Sequence, residues 1–294
     1  MNLHPHSTEK RLPLFLRTIR PERVMALGFL LVILTGALLL TLPIAANDNR
    51  SVGFHNALFT ATSAVCVTGL IVVDTADAYT VFGRIVIMLL IQIGGLGFMV
   101  FATLLMIALG RRISLRNRVL IRESMSANSL AGMVRLSKWF ALLAVIMELI
   151  GACLLSIRFI PILGVKQGIW YSIFHAVSAF CNAGFDMFGG FKSLVDFQHD
   201  PLVLLTIAWL IIFGGMGFAV LTELMHNRFH FHKLSLHTKL AVCITAALLV
   251  GGTLLILALE WANPATLGDP FLNFGDKLLN AFFQSATLRT AGFA

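Results

Sequence analysis

Long apolar runs alternate with short polar segments along this chain. Val24–Ala46, Ile85–Gly110, Leu202–Thr222 and Leu240–Leu259 carry no charged side chain, and Trp139–Ile157 is broken only by Glu148. A helix needs about 20 residues to cross the hydrocarbon core of a bilayer. Only helices and closed barrels span lipid, and runs this long and continuous predict helices. Between the long runs lie shorter helical segments, predicted over 53–64, 167–179 and 275–287, each ending in a glycine-containing loop.

Those short segments repeat. Phe59, Phe174 and Phe282 are each followed, after nine residues, by a glycine and a bulky apolar residue: Gly69-Leu70, Gly184-Phe185 and Gly292-Phe293. The unit is an entering span, a short re-entrant helix, a loop and a returning span, and periodicity of this kind is a statement about architecture. The returning spans also match, Gly94-Gly95-Leu96-Gly97-Phe98 with Gly214-Gly215-Met216-Gly217-Phe218. Glycines at these positions suit either close helix packing or a gating hinge. The predicted organisation is a basic tail (1–23), a first unit (24–110), a basic loop (111–135), a second unit (136–225), a second basic loop (226–239) and an incomplete third unit (240–294).

Composition agrees. The chain has 294 residues, 58% hydrophobic and 12% charged, whereas soluble domains carry about 25% charged residues. The fold class expected is therefore an all-α integral membrane protein. Most of its 22 basic residues sit in the tail (Lys10, Arg11, Arg17, Arg20, Arg23) and in the loops after the second and fourth spans (Arg111, Arg112, Arg116, Arg118, Arg122, Arg135, Lys138; Arg228, Lys233, Lys239). If the spans alternate, these share one side, which the positive-inside rule makes cytoplasmic, the N-terminus included. The net charge of +8 is then a topology signal, and no nucleic-acid partner is expected. Most of the 14 acids fall on the other side, where they could draw cations to an entrance. Val24–Ala46 is too long for the apolar region of a cleaved signal peptide. The four cysteines form no disulfide framework.

The loops suit a monovalent cation. Rings of backbone carbonyls can replace the water around an ion in a narrow pore. Glycine supplies the dihedrals that expose carbonyls without a side chain on the axis. The short helices aim their C-terminal, partially negative ends at the loops. None of the three loops contains an acid, which argues against a carboxylate-ring filter.

Ala64-Val65-Cys66-Val67-Thr68-Gly69-Leu70, Phe180-Cys181-Asn182-Ala183-Gly184-Phe185 and Thr287-Leu288-Arg289-Thr290-Ala291-Gly292-Phe293 resemble the first three filter loops of the Ktr/Trk/HKT potassium transporter superfamily. Ile91–Phe98 with Arg111-Arg112-Ile113-Ser114-Leu115 is similar to the membrane subunit of the bacterial Ktr system. The resemblance covers the chain from about Val24. It implies four units around a pseudo-fourfold pore, a homodimer in the bacterial cell membrane, and a cytoplasmic ring of RCK-type nucleotide-binding regulatory subunits of the KtrA kind. It also implies uptake of K+, often dependent on Na+. This chain holds two and a half of the four units. It is expected to be a fragment, and alone not to conduct selectively.

The candidate ion-coordinating residues are Val67, Thr68 and Gly69, Asn182, Ala183 and Gly184, and Thr290, Ala291 and Gly292. Cys66, Cys181 and Arg289 share a slot three residues before each glycine and are candidates for filter support. Arg289 is expected to point away from the axis and to bind carbonyls or an acid. Gly94, Gly95, Gly97, Gly214, Gly215 and Gly217 are candidates for hinge or packing roles. Glu148, mid-span, either pairs with a polar neighbour or serves ion passage. No catalytic residue is assigned: the sequence offers no metal motif and no nucleophile–base set. The alternatives are a sodium-permeable relative and a non-conducting membrane or assembly protein. In the superfamily a serine in place of the first-loop glycine is associated with sodium permeation. Gly69→Ser, in a full-length version, is therefore expected to weaken potassium-over-sodium discrimination in paired uptake measurements. Equal selectivity of variant and parent would contradict the assignment of Gly69.

Overall fold

The computed structural model describes residues 21–48, 50–97, 133–227 and 230–294. The tail up to residue 20, Phe98 with the rest of the first returning span to Gly110, the basic-loop residues 111–132 and Arg228 lie outside them. The described elements are α1 (Pro21–Thr41), α2 (Phe54–Val65), α3 (Thr75–Ala78), α4 (Val81–Leu96), α5 (Met133–Leu163), α6 (Val165–Phe180), α7 (Pro201–Gly215), α8 (Phe218–His226), α9 (Leu236–Glu260) and α10 (Phe274–Thr290). Among the described residues, the β contact is a single antiparallel bridge between Ala46 and Tyr79.

Helix faces mix small, polar and large apolar residues inward and present large apolar residues outward. Along α5, Ala144, Glu148, Gly151, Ala152, Leu155 and Phe159 are buried, while Leu142, Val145, Leu149, Ile150 and Ile157 are exposed. An apolar outer face suits helices solvated by lipid, and the small residues on the inner face bring backbones together. Gly151 abuts Leu210 of α7, and Gly36 of α1 abuts Leu90 of α4. By length and composition, Lys138–Leu163 and Leu236–Glu260 can each cross a membrane, and α7 with α8 makes a third span if the bent pair is one. Met25–Thr41 and Val81–Leu96 are shorter apolar helices.

Each long helix lies against a short one: α1 on α2, α5 on α6, α9 on α10. Each returning helix then wedges between two short helices, α4 between α2 and α6, and α7 between α6 and α10. That alternation brings the ends of α2, α6 and α10 to one region.

Two spans differ from the apolar pattern. The second entering span, expected over 136–157, is the longer α5. It runs past Arg158, whose guanidinium pairs with Asp200 at 2.5 Å. The second returning span, expected as one helix over 202–225, is broken. α7 ends at Gly215, Gly217 takes φ +82° at the start of α8, and the two axes differ by 99°. Glycine adopts such a φ at little steric cost. Beyond the bend, Glu223 accepts from Ser235 N, Ser235 Oγ and Thr238 Oγ1, so α8 caps the start of α9.

Asp200 is buried and also caps α7, accepting from Leu202 N at 3.1 Å and Val203 N at 3.3 Å. Asp200→Ala is expected to cost about 1 kcal/mol for the lost cap, plus the loss of the Arg158 partner. Asp200→Asn keeps an acceptor for the cap and should cost less. Thermal unfolding in detergent, compared between the two, checks the order.

Candidate ion-coordinating site

The helices α2 and α6 end in the same way. In α2, Thr68 N donates to Ser63 O at 2.9 Å and Val67 N to Ala64 O at 3.3 Å. In α6, Ala183 N donates to Ser178 O at 2.7 Å and Asn182 N to Ala179 O at 3.0 Å. This paired closure needs one left-handed residue after the cap, usually glycine. Here Val67 (φ +57°) and Asn182 (φ +60°) take it. Asparagine tolerates this conformation, but for the β-branched Val67 it is strained, at about 1–2 kcal/mol. Two residues later Gly69 and Gly184 are left-handed again, at φ +74° and +70°.

The third loop departs from the pattern. Thr290 stays helical, and Ala291 N and Gly292 N both donate to Thr287 O, at 2.9 and 3.1 Å. Gly292 still adopts φ +79°. Side chains hold the outgoing strand in two of the loops: Ser178 Oγ donates to Phe185 O at 2.7 Å, and Thr287 Oγ1 to Phe293 O at 3.0 Å.

The three loops meet. A methyl group added at Gly69 would lie 2.5 Å from Ala183 O and 3.2 Å from Ala291 O. One added at Gly184 would overlap Ala291 O. Carbonyls from the second and third loops thus reach the glycines of the first and second, across more than a hundred residues of chain. Ala183 and Ala291 are fully buried, while Thr68 and Gly292 are exposed. The C-terminal ends of three helices converge with their loops, so their partial negative charges add at one place.

The glycine motifs divide by position. Gly94 sits against Val65 O and Gly214 against Phe180 O, the last residues of α2 and α6. Any side chain there would push the returning helix off its short helix. Gly95 faces Cys181 of the next unit, and Gly215 faces the Asn182 amide and Thr290 Oγ1. Gly97 (φ +79°) and Gly217 (φ +82°) instead have open space where a side chain would be, and stand where the helices end. Packing and backbone break are thus assigned to different glycines of one motif.

The support slot holds three different environments. Cys66 is exposed. Cys181 is buried behind its loop, its Sγ 3.8 Å from Gln92 Oε1 and 4.0 Å from Glu148 Oε1. Arg289 Nη2 lies 3.4 Å from Thr245 Oγ1 on α9. Its partner is therefore a hydroxyl on the outer helix, in place of the carbonyl or acid expected. Glu148 has the polar neighbour that mid-span burial calls for: Gln92 Nε2 donates to it at 2.9 Å. Asn182 joins loops and spans. With its amide turned to match its surroundings, Nδ2 donates to Thr290 Oγ1 at 2.6 Å and to Ile211 O at 3.0 Å, and Oδ1 accepts from Gly215 N at 3.0 Å.

Several outer acids have structural tasks. Asp74 accepts from Ala76 N at 2.8 Å and Phe191 N at 2.8 Å, tying the first outer loop to the second. Asp276 forms a capping box with Asn273 and pairs with His199 at 3.0 Å. Burial, with a smaller push from Asp74, raises the pKa of the Asp186 carboxyl at the loop exit. Sequence reasoning also missed Gln92, Thr60, Tyr79 and His175. Aligning the repeats one residue past Phe59 and Phe174 gives Thr60 and His175 directly.

Comparison with known proteins is consistent with this geometry. Residues 24–294 match the family model TrkH, described as cation transport protein. The chain is 47% identical over 273 residues to the Ktr system potassium uptake protein B of Bacillus subtilis, covering 93% of this chain and 60% of the relative. It is 42% identical over 277 residues to the potassium/sodium uptake protein NtpJ of Enterococcus hirae, covering 94% and 60%. It is 45% identical over 272 residues to a Ktr system potassium uptake protein B of Vibrio alginolyticus, covering 92% and 58%. The chain thus spans about 60% of the length of these curated relatives.

Adding a methyl at Gly214 meets backbone that cannot yield, so Gly214→Ala is expected to destabilise by about 1–3 kcal/mol. Gly251→Ala in α9, where nothing lies within 4 Å, should be neutral or stabilising by up to about 1 kcal/mol. Melting temperatures of the two variants in detergent check the contrast.

Proposed function

Since the chain belongs to the TrkH family of cation transport proteins, we propose that it forms part of the ion-translocating membrane subunit of a Ktr-like potassium uptake system. The carbonyls of residues 67–69, 182–184 and 290–292 take the place of water around a K+ ion as it crosses. The observation that carries this reading is the approach of Ala183 O and Ala291 O to Gly69. Shedding water from a monovalent cation is unfavourable, and oxygens already held in place offset that loss without a fixed negative charge. The converging helix ends favour the cation further.

The finer assignments follow the resemblance. The protein works in the bacterial cell membrane with its N-terminus cytoplasmic. It acts as a homodimer with an RCK-type nucleotide-binding regulatory subunit, and Na+ assists K+ uptake. The four-unit pore is completed by further units beyond those in this chain. A sodium-permeable variant is the second reading, favoured by the similarity to the potassium/sodium uptake protein of Enterococcus hirae. Glycine at 69 supports the potassium reading.

The full-length protein, expressed in cells lacking their own potassium uptake, is expected to restore growth at low potassium. It should also take up K+ in preference to Na+. Gly184→Ala, whose methyl would overlap Ala291 O, should abolish uptake at equal membrane levels. Normal uptake by that variant would contradict the filter assignment, and Na+ uptake matching that of K+ would favour the second reading.

A further inference from the structure

One residue past its leading phenylalanine, each of the first two short helices carries a polar side chain that reaches the chain beyond its own loop. In α2 this is Thr60, whose Oγ1 accepts from Tyr79 OH at 3.2 Å. In α6 it is His175, which is fully buried. His175 Nδ1 lies 2.7 Å from Tyr171 O, and His175 Nε2 lies 3.3 Å from Met187 N.

The two contacts fix the state of the ring. A backbone N–H can only donate, so Nε2 must accept from Met187 with its lone pair. A backbone carbonyl can only accept, so Nδ1 must carry the proton and donate to Tyr171. A neutral imidazole with one tautomer satisfies both. Aromatic rings hold it there: Phe188 is 4.7 Å from it between centroids, Phe159 5.6 Å, and Tyr171 and Phe174 both 6.1 Å.

Met187 is three residues past Gly184. Between them, Phe185 O is already held by Ser178 Oγ. One helix thus grips the outgoing limb of the second loop twice, by a carbonyl through Ser178 and by an N–H through His175. A buried polar ring is a demanding way to fill an aromatic cavity, since both nitrogens must find partners. Phenylalanine would fill the same space without that demand.

We propose that His175 is a positioning residue for ion selection. By holding the Met187 N–H, it fixes the exit of the second loop and keeps the Ala183 and Gly184 carbonyls in register for a dehydrated monovalent cation. The proposal rests on the filter reading given above. It distinguishes Nε2 from mere bulk, and two amide side chains separate the cases. In His175→Gln the amide oxygen reaches the position of Nε2 and can accept from Met187. In His175→Asn the side chain ends near the position of Nδ1 and cannot.

The test uses the full-length protein and two readouts. Uptake of K+ and of Na+ is measured in cells lacking potassium uptake, normalised to the amount of protein in the membrane. Amide hydrogen exchange over 184–190 is followed on the purified protein in detergent. His175→Gln is expected to keep both the selectivity and the slow exchange of the parent. His175→Asn and His175→Phe are expected to lose selectivity on the order of tenfold and to exchange at Met187 about tenfold faster. A folded Asn or Phe variant with the parent's selectivity and unchanged exchange at Met187 would overturn the proposal. If the parent takes up neither cation, that failure falls on the transport reading. Protection at Met187 that is equal in the parent and the Asn variant falls on the histidine.

Discussion

Irregular backbone at the depth of a membrane must account for every peptide group it contains. Three loops here leave helical geometry, and their N–H groups and carbonyls need partners that lipid cannot supply. The N–H groups of Val67, Thr68, Asn182, Ala183, Ala291 and Gly292 are satisfied locally, by closure onto Ser63, Ala64, Ser178, Ala179 and Thr287 at the helix ends. Carbonyls of Ala183 and Ala291 are left directed at neighbouring loops, where they crowd the glycines. The loops divide the labour: donors turned back into the helix, and the Ala183 and Ala291 acceptors turned towards the neighbouring loop. The strain accepted at Val67 is consistent with a conformation the loop's purpose requires.

The rest of the fold serves that convergence. Returning helices reach the site by pressing Gly94 and Gly214 onto the last carbonyls of α2 and α6. The same helices bring Gly95 and Gly215 against the following unit. Each returning helix therefore sets two loops at once, its own and the next. Polar side chains behind the loops, Asn182 with Thr290 and Gln92 with Glu148 and Cys181, join units where purely apolar contacts would allow sliding. Hydrogen bonds between helices in lipid are modest individually but directional.

Much of this was legible in the sequence because the repeat is written in residue types with few substitutes. Phenylalanine–glycine spacing marked all three short helices within a few residues of their ends. Lipid exposure made the long spans conspicuous. Other features left no trace in the pattern. The motif marked Gly214, Gly215 and Gly217 alike for hinge or packing, and periodicity, which carries no information about φ, did not say that the break falls at Gly217. Asp74, Asp200 and Asp276 read as a charged outer surface, yet helix capping and loop pairing consume them. Arg289 was expected to seek an acid or carbonyl, and the neighbour that α9 offers is the Thr245 hydroxyl. Relative to the loop glycines, α10 stays helical two residues further than α2 and α6, through Thr290, whose counterparts are Val67 and Asn182, a difference set by tertiary context beyond the reach of local propensity.

The most direct test is to locate the ion. Thallium substitutes for potassium and scatters anomalously, so a crystal of the full-length protein soaked in a thallium salt would reveal bound cations. The account predicts an anomalous peak on the axis shared by the three loops, coordinated by carbonyl oxygens of 67–69, 182–184 and 290–292. Anomalous peaks found only at acidic side chains elsewhere, with nothing among those carbonyls, would contradict it.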